Sequence, residues 1–297
     1  MYDIALSVNA FVRSGTRADI VWMISPTISN DALALTPGSG RVGSLAAGVF
    51  DGNLSDFATR KLPNGRVVAL KVGEFESSIS GLVAGSDAQF LVVPADSFDP
   101  DFWPALMERR PVAITCLLDG EDVSVVQVFD AETIAQADSD TAELFAKGVT
   151  NVVVQSGKVI TVLFPIPTLV IAGGGPIAHA LAAIGELLEW NVSIDGRNTV
   201  VAGLVARLSP LDAVVIMGHD VETSSKNLSY ALASDAGYIG ALGSAKMQED
   251  RADWLAYQEV TDLSRVHGPA GLDIQASTPT EIAVSVIAEI IATLKKN

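Results

Sequence analysis

Residues 168–178 read TLVIAGGGPIA: a short apolar run, three glycines and then the start of a helical pattern. The order strand, tight turn and helix is the context in which a dinucleotide-binding fingerprint functions. The segment Gly173-x-Gly175-x-x-Ala178 fits the G-x-G-x-x-G/A spacing. In that fingerprint Gly173 permits the turn, Gly175 lets a pyrophosphate approach the backbone, and Ala178 allows close helix packing. We therefore predict a Rossmann-type half-domain whose phosphate-binding loop contains Gly173, Gly174 and Gly175.

An acidic residue follows at the spacing expected for a ribose contact. The run 191–195 ends in Asp195, 22 residues after Gly173, and the usual separation is about 20. Asp195 is predicted to accept a ribose hydroxyl, which favours NAD, whereas Arg197 favours the 2′-phosphate of NADP. Pro176 suits the first helical position but removes one N–H that would face a phosphate. The alternative is that the glycines serve only the packing of a helix on a strand.

The composition is that of a globular chain of two domains. Of its 297 residues, 49% are hydrophobic and 18% are charged. A net charge of −16, from 35 acidic and 19 basic residues, leaves no basic surface for nucleic acid. No apolar run reaches the roughly 18–20 residues of a membrane span. The first twenty residues lack a signal pattern, and the one cysteine, Cys116, forms no disulfide framework. We expect a cytoplasmic protein without nucleic-acid or membrane partners, and a homodimer is one candidate for its oligomeric state.

The fold class is predicted to be α/β, with an α+β domain over residues 1–164 and a Rossmann-like domain over residues 165–297. Pro165 and Pro167 mark the linker between them. In the second domain the patterns of strand and helix alternate, which favours a parallel sheet with helices on both faces. The predicted strands are 168–172, 192–195, 213–217 and 238–242, and the predicted helices are 176–189, 224–234, 245–257 and one that begins at the capping box 278–281.

The first domain has a less regular pattern. Apolar or alternating runs predict strands at 20–24, 67–72, 88–93, 112–118, 123–128, 152–154 and 159–164. Helices are predicted over 102–108 and over 131–146, the latter capped near Asp130, and a hairpin turn over 155–158.

Two further turns follow predicted strands at the edge where open α/β sheets bind ligands. His219 and Asp220 come after strand 213–217, so His219 is a candidate for a ribose or phosphate contact or for acid–base catalysis. The alternative is that Asp220 caps a helix beside a surface histidine. Gly243 and Ser244 open another helix in an anion-binding geometry with Lys246 nearby, and the alternative there is a simple turn and cap. The three histidines are scattered and there is no Cys/His cluster, so no metal site is predicted.

Five motifs of the second domain follow one another in the order in which they occur in a known protein family. They are Gly173-Gly174-Gly175, Asp195-Gly196-Arg197, Gly218-His219-Asp220, residues 238–246 (YIGALGSAK), and residues 266–274 (VHGPAGLDI) followed by 278–283 (TPTEIA). Together they resemble the C-terminal Rossmann domain of the XdhC/CoxI family, whose members are maturation factors for xanthine dehydrogenase and carbon monoxide dehydrogenase. The resemblance implies an accessory protein more than a catalyst. It implies that the chain binds a nucleotide-containing cofactor and assists assembly of a molybdenum hydroxylase apoenzyme, with molybdenum cofactor as cargo.

The resemblance extends more faintly into the first domain. Residues 43–51 (GSLAAGVFD) are similar to the family signature G-S-x-S-G-G-C-x-E, and residues 81–86 (GLVAGS) are similar to its G-L-x-C-G-G element. Val49 and Ala84 stand in place of the two cysteines of these motifs. Soft-metal binding and sulfur transfer need an accessible thiolate. Because Cys116 is expected to be buried in a strand, we predict that this chain neither ligates molybdenum nor carries sulfur.

Two other functions stay open. One is an NAD(P)-dependent oxidoreductase, in which His219 is the candidate proton-transfer group. The other is a degenerate paralogue that keeps only protein contacts. The sequence does not identify the client enzyme. It also does not distinguish among NAD, NADP, FAD and pterin nucleotides as ligands.

Overall fold

The computed structural model describes residues 1–38, 40–58, 64–218 and 220–295. They form two compact units, one over Met1–Pro165 and a second that begins at Ile166. Within the described residues, no helix has both the length and the apolar character needed to cross a bilayer.

The first unit is an antiparallel sheet with short helices. Its strands are β1 (Asp19–Ser25), β2 (Leu33–Thr36), β3 (Gly40–Gly43), β4 (Arg66–Lys71), β5 (Asp87–Pro94), β6 (Val112–Asp119), β7 (Asp122–Phe129), β8 (Asn151–Gln155) and β9 (Lys158–Leu163). Its helices are α1 (Ala5–Ser14), α2 (Asp51–Ala58), α3 (Glu74–Ser80), α4 (Phe102–Met107) and α5 (Ser139–Phe145). Among the described residues the strands form one nine-stranded sheet in the order β3-β2-β1-β5-β4-β7-β6-β9-β8. The predicted α+β character of this region is confirmed.

Strand β1 is buried on both faces of this sheet. Ile20 and Trp22 pack into one core, which α1 and α4 cover, while Val21 and Met23 pack into a second core on the opposite face, which includes α2. Burial on both faces explains why the strand is a continuous apolar run without polar alternation.

The helix predicted over residues 131–146 is wrong. Asp130 does act as a cap, but its carboxylate accepts from the N–H groups of Glu132 and Thr133 in a local turn. Asp138 then takes an extended conformation and accepts from Asp140 N and Thr141 N, so α5 begins only at Ser139. A second capping carboxylate within the pattern ends the first turn and starts a new helix.

The second unit alternates strand and helix. Its elements are β10 (Thr168–Ala172), α6 (Pro176–Leu187), β11 (Asn191–Ile194), α7 (Asn198–Val205), β12 (Ala213–Ile216), α8 (Val221–Leu232), β13 (Tyr238–Ala241), α9 (Ala245–Tyr257), β14 (Val266–His267) and α10 (Pro279–Leu294). All strand pairs of this sheet are parallel, in the order β11-β10-β12-β13-β14. The predicted Rossmann-like parallel sheet is therefore confirmed. Helix α7 and strand β14 were not predicted.

Helices cover both faces of the parallel sheet. Leu169 and Ile171 of β10 pack under α6 and α10, and Val170 and Ala172 pack under α7, α8 and α9. The chain moves outward from β10 to β11 and then returns past β10 to β12. Because strand–helix–strand crossovers are right-handed, this reversal places the helices before and after it on opposite faces.

Candidate functional site

The point where the strand order reverses lies between β10 and β12. The chain leaves β10 toward β11 on one side and continues from β12 to β13 on the other. In open α/β sheets the loops at such a point diverge and leave a crevice at the carboxyl ends of the strands, where ligands bind. Here these loops contain the predicted glycine loop after β10 and the segment from Met217 onward after β12.

Gly173 lies where three loops meet. Its N–H donates to the carbonyl of Asp195 at 3.1 Å, which joins the loops after β10 and β11. Its φ is +151°, and a Cβ at this position would collide with the main-chain carbonyl oxygen of Met217 in the loop after β12. Gly173 therefore permits the turn, as the fingerprint predicts, and it also permits close approach of two backbones.

Gly175 leaves the first turn of α6 open. It is the N-cap residue, with φ +95° and ψ −175°, a conformation restricted essentially to glycine. A Cβ at Gly175 or at Gly174 would meet nothing within 4 Å. The first hydrogen bond of the helix runs from His179 N to Gly175 O at 3.1 Å, so the N–H groups of the preceding turn are not used by the helix itself.

Three other helices of the unit begin differently. The side chains of Asp220, Ser244 and Thr278 cap α8, α9 and α10, whereas no side-chain cap is found for α6 or for α7 in the described part of the chain. Ala178 is fully buried against the sheet, as close packing requires. The start of α6 thus combines an open backbone, an uncapped helix end and space for a group of atoms, all of which suit a phosphate.

Asp195 and Arg197 are paired with each other. Arg197 donates to the Asp195 carboxylate from its main-chain N at 2.8 Å and from Nη2 at 2.6 Å. These hydrogen bonds lower the pKa of Asp195 to about 2. The Arg197 side chain is 76% exposed, so it can leave the carboxylate without losing packing. Asp195 was predicted to accept a hydrogen bond from a ribose hydroxyl. In this conformation its carboxylate already accepts hydrogen bonds from the Arg197 guanidinium.

The other predicted contacts have structural roles that the sequence left as alternatives. Asp220 Oδ1 accepts from Thr223 N at 2.7 Å, and Ser244 Oγ accepts from Met247 N at 3.3 Å. Gly243 has φ +136°, and Lys246 is exposed on the first turn of α9. His219, the predicted catalytic candidate, lies outside the described residues.

Arg251 belongs to this edge and was not predicted. It is 1% exposed. Its Nε donates to Ser224 Oγ at 3.0 Å, Nη1 to the Leu242 carbonyl at 2.7 Å and Nη2 to the Gly218 carbonyl at 3.0 Å. Burial lowers the pKa of Arg251. Its position four residues before Leu255, on the buried stripe of α9, was the signal in the sequence that could have indicated its burial.

The motif at residues 266–274 has a packing role. Glu289 of α10 accepts from Tyr238 Oη at 2.6 Å and from Gly271 N at 2.7 Å, and it lies 3.2 Å from His267 Nδ1. The rings of His267 and Tyr238 stack with their centroids 4.6 Å apart. Burial and the hydrogen bond to Glu289 raise the pKa of Tyr238. This network joins α10, β13 and β14.

A shallow concavity of about 400 Å³ lies away from the glycine loop. Pro210, Gly237 and Arg265 line it, near the amino ends of β12 and β13. Its position on the opposite edge of the sheet separates it from the switch point.

In the first unit the helix that precedes the second motif lies against the first motif. Helix α3, which precedes residues 81–86, packs against residues 46–48 of the first motif. Val49 is partly buried and Ala84 is exposed. Cys116 is fully buried in β6, as expected, and burial raises its pKa to about 12.

The residues of this region do not suit direct ligation of molybdenum or sulfur. Valine and alanine offer no ligand atom, and Cys116 is not accessible. Across residues 1–38, 40–58, 64–218 and 220–295, no group of three or more His, Cys, Asp or Glu side chains is placed to hold a metal ion.

Asp51, the acid at the end of the first motif, is mostly buried and lies 3.8 Å from Arg41 Nη1. Burial raises the pKa of Asp51, and its Oδ1 has no hydrogen-bond partner among the described residues.

Comparisons with known proteins found three similarities. Residues 169–290 match the family model described as the XdhC Rossmann domain. A Bacillus subtilis protein described as a probable subunit of xanthine dehydrogenase is 38% identical over 87 residues, which are 29% of this chain and 25% of that protein. A crystal structure described as a xanthine dehydrogenase from Bacillus halodurans aligns over 100% of this chain and 97% of that chain, with 18% identity and a TM-score of 0.46.

Proposed function

We propose that the protein is an accessory factor for an enzyme of the xanthine dehydrogenase type and that it binds a nucleotide-containing ligand, because residues 169–290 match the XdhC Rossmann domain. The observation that carries the ligand proposal is the uncapped start of α6 at the switch point of the sheet. A diphosphate there would accept from the free N–H groups of the first helical turn and would interact favourably with the helix dipole.

The pair Asp195–Arg197 supports a choice between nucleotides. To bind NAD, a ribose hydroxyl has to compete with Arg197 for the Asp195 carboxylate. To bind NADP, Arg197 can instead pair with the 2′-phosphate, since a guanidinium binds phosphate in a bidentate manner. We propose that Arg197 makes the site accept NADP at least as well as NAD.

The accessory role is proposed from the similarity to the XdhC Rossmann domain and not from a catalytic group. Val49 and Ala84 cannot supply a thiolate, so the assistance to a partner enzyme would not involve a metal or sulfur atom bound at those positions. Binding of the nucleotide portion of a cofactor by the second unit is compatible with that loss. The family resemblance supports molybdenum cofactor as cargo, whereas the absent cysteines oppose its direct ligation here.

Isothermal titration of the full chain with ADP-ribose, NAD⁺ and NADP⁺ tests the ligand proposal. We expect Arg197→Ala to weaken NADP⁺ binding and to strengthen NAD⁺ binding, because Asp195 is released. Arg207→Ala is the control, since it removes the same charge from the exposed turn that follows α7. If none of the three ligands binds at millimolar concentration, the nucleotide-binding proposal is wrong.

Coexpression tests the accessory role. A xanthine dehydrogenase apoenzyme is produced in a host that makes molybdenum cofactor, with and without this chain, and molybdenum per purified enzyme is measured. We expect a larger molybdenum-loaded fraction when the chain is present. An equal fraction with and without it contradicts the accessory role.

A further inference from the structure

Arg251 connects two loops at the ligand-binding edge of the second unit. The Gly218 carbonyl lies in the loop after β12, and the Leu242 carbonyl lies in the loop after β13. The guanidinium donates to both carbonyls and also to Ser224 of α8. One side chain therefore sets the separation of the two loops and ties both to a helix.

The charge of Arg251 has no negative partner among the described residues. The acceptors found for its N–H groups are neutral: two main-chain carbonyls, the Ser224 hydroxyl and, at 3.4 Å, the side-chain carbonyl of Gln248. A buried charge is costly unless it is paired, and neutral acceptors offset only part of that cost. A methionine of similar volume would fill the same space without the charge. The arginine is therefore better explained by its electrostatic effect than by its packing.

The hydrogen bonds of Arg251 also orient the loop after β13. The Leu242 carbonyl points toward the guanidinium. Because C=O and N–H of a trans peptide point in opposite directions, the N–H of Gly243 points away from Arg251. Lys246 adds an exposed positive charge on the first turn of α9. The Gly243 N–H thus points out of the loop, and the positive charge of Arg251 lies on the other side of the same peptide group. This arrangement favours an anion next to the Gly243 N–H.

We propose that Arg251 is a positioning residue for an anionic group of the ligand: it fixes the loops after β12 and β13, and its unpaired charge makes this edge favour a phosphorylated ligand over a neutral one. The inference rests on the proposed nucleotide binding. It extends the site from the glycine loop across the switch point to the loop after β13.

Three variants of the full chain separate charge from structure. Arg251→Met removes both the charge and the hydrogen bonds, whereas Arg251→Lys keeps the charge and loses the fork geometry. Arg265→Met is the matched control. Arg265 also donates to three main-chain carbonyls, those of Leu232, Ser234 and Ala236, but it lies before β14 at the opposite edge. Should Arg251→Met not fold, Arg251→Gln gives the same neutral comparison.

The measurement is the dissociation constant of ADP-ribose, determined by isothermal titration for the wild type and for each variant. We expect Arg251→Met to weaken binding about tenfold or more, since a charge within a low-dielectric edge acts strongly on a diphosphate. Arg251→Lys should weaken binding less, and Arg265→Met should stay within twofold of the wild type. Partial recovery of affinity in Arg251→Lys, which keeps the charge but not the fork of donors, is a result that loop disorder alone would not produce.

The outcomes are distinguishable. If the wild type binds ADP-ribose and Arg251→Met binds it equally well, or if Arg251→Lys binds it no better than Arg251→Met, the role of Arg251 is wrong and the proposed function stands. An equal loss of ADP-ribose affinity in Arg265→Met would also contradict the role of Arg251. If the wild type binds neither ADP-ribose nor inorganic pyrophosphate, the proposed function fails and the role of Arg251 fails with it.

Discussion

Gly173→Ala places a methyl group against the main-chain carbonyl of Met217, where the loops after β10 and β12 meet. Overpacking of this kind costs about 1–3 kcal/mol. The positive φ of +151° adds strain, which amounts to about 1–2 kcal/mol for a residue with a Cβ. Alanine also restricts the unfolded chain, which returns about 0.4–1 kcal/mol. We therefore expect Gly173→Ala to lower the free energy of unfolding of the second unit by about 1–5 kcal/mol.

Gly175→Ala separates backbone strain from steric collision. Its φ of +95° and ψ of −175° are unfavourable for alanine, but its Cβ would meet nothing within 4 Å. The strain costs about 1–3 kcal/mol, and the same gain from the unfolded state applies. We expect a net loss of stability of about 0–2.6 kcal/mol, smaller than at Gly173 because the collision is absent. Because the methyl occupies the space proposed for a phosphate, ADP-ribose binding should weaken in this variant by more than its stability loss explains.

Gly203→Ala is the control for replacing a glycine. Gly203 is exposed within α7, and a Cβ there meets nothing within 4 Å. Alanine at such a site should stabilise the unit by about 0.5–1 kcal/mol.

The assay is native-state hydrogen exchange of the intact chain, read on peptides from β10 and β12, because these strands report the second unit alone. If Gly173→Ala is as stable as the wild type, or no less stable than Gly175→Ala, the close approach of Gly173 to Met217 is wrong.

Two further predictions concern a thiol and a helix cap. Cys116, which is fully buried with its pKa raised to about 12, should not react with a thiol reagent at pH 8 in the native chain but should react fully in urea; rapid modification of the native protein would show that β6 is accessible. The Glu281 carboxylate accepts hydrogen bonds from Ser277 N and Thr278 N, which lower its pKa to about 2. The pKa of a glutamate in the unfolded chain is about 4.3. The contribution of Glu281 to stability is therefore present above that pH and is lost as the pH falls toward 2. The stability difference between wild type and Glu281→Gln, measured by urea denaturation, should therefore shrink between about pH 4 and pH 2, and a difference that stays constant with pH would contradict this role of the carboxylate.

Local patterns located most strands and the best-defined helices. Strand β10 and helix α9 begin and end where the sequence predicts, and the capping box at Thr278 and Glu281 starts α10. These elements follow from burial periodicity and from hydrogen bonds between near neighbours, which the sequence contains directly. Short elements escaped prediction because they carry few buried residues. Helix α1, for example, has only two fully buried side chains among its described residues, and β14 has two residues in all.

The sequence by itself determined that residues 168–178 form a strand, a glycine turn and a helix, and that a parallel sheet follows. It also determined that Val49 and Ala84 offer no thiolate. Only the tertiary structure decided the strand order, and with it the switch point between β10 and β12, because strand order depends on contacts between residues that are distant in the chain. For the same reason only the structure revealed that Gly173 faces the Met217 carbonyl and that Arg251, a charged residue on a buried helix stripe, joins the loops after β12 and β13. The type of a side chain is known from the sequence, but the residues that it contacts depend on tertiary packing.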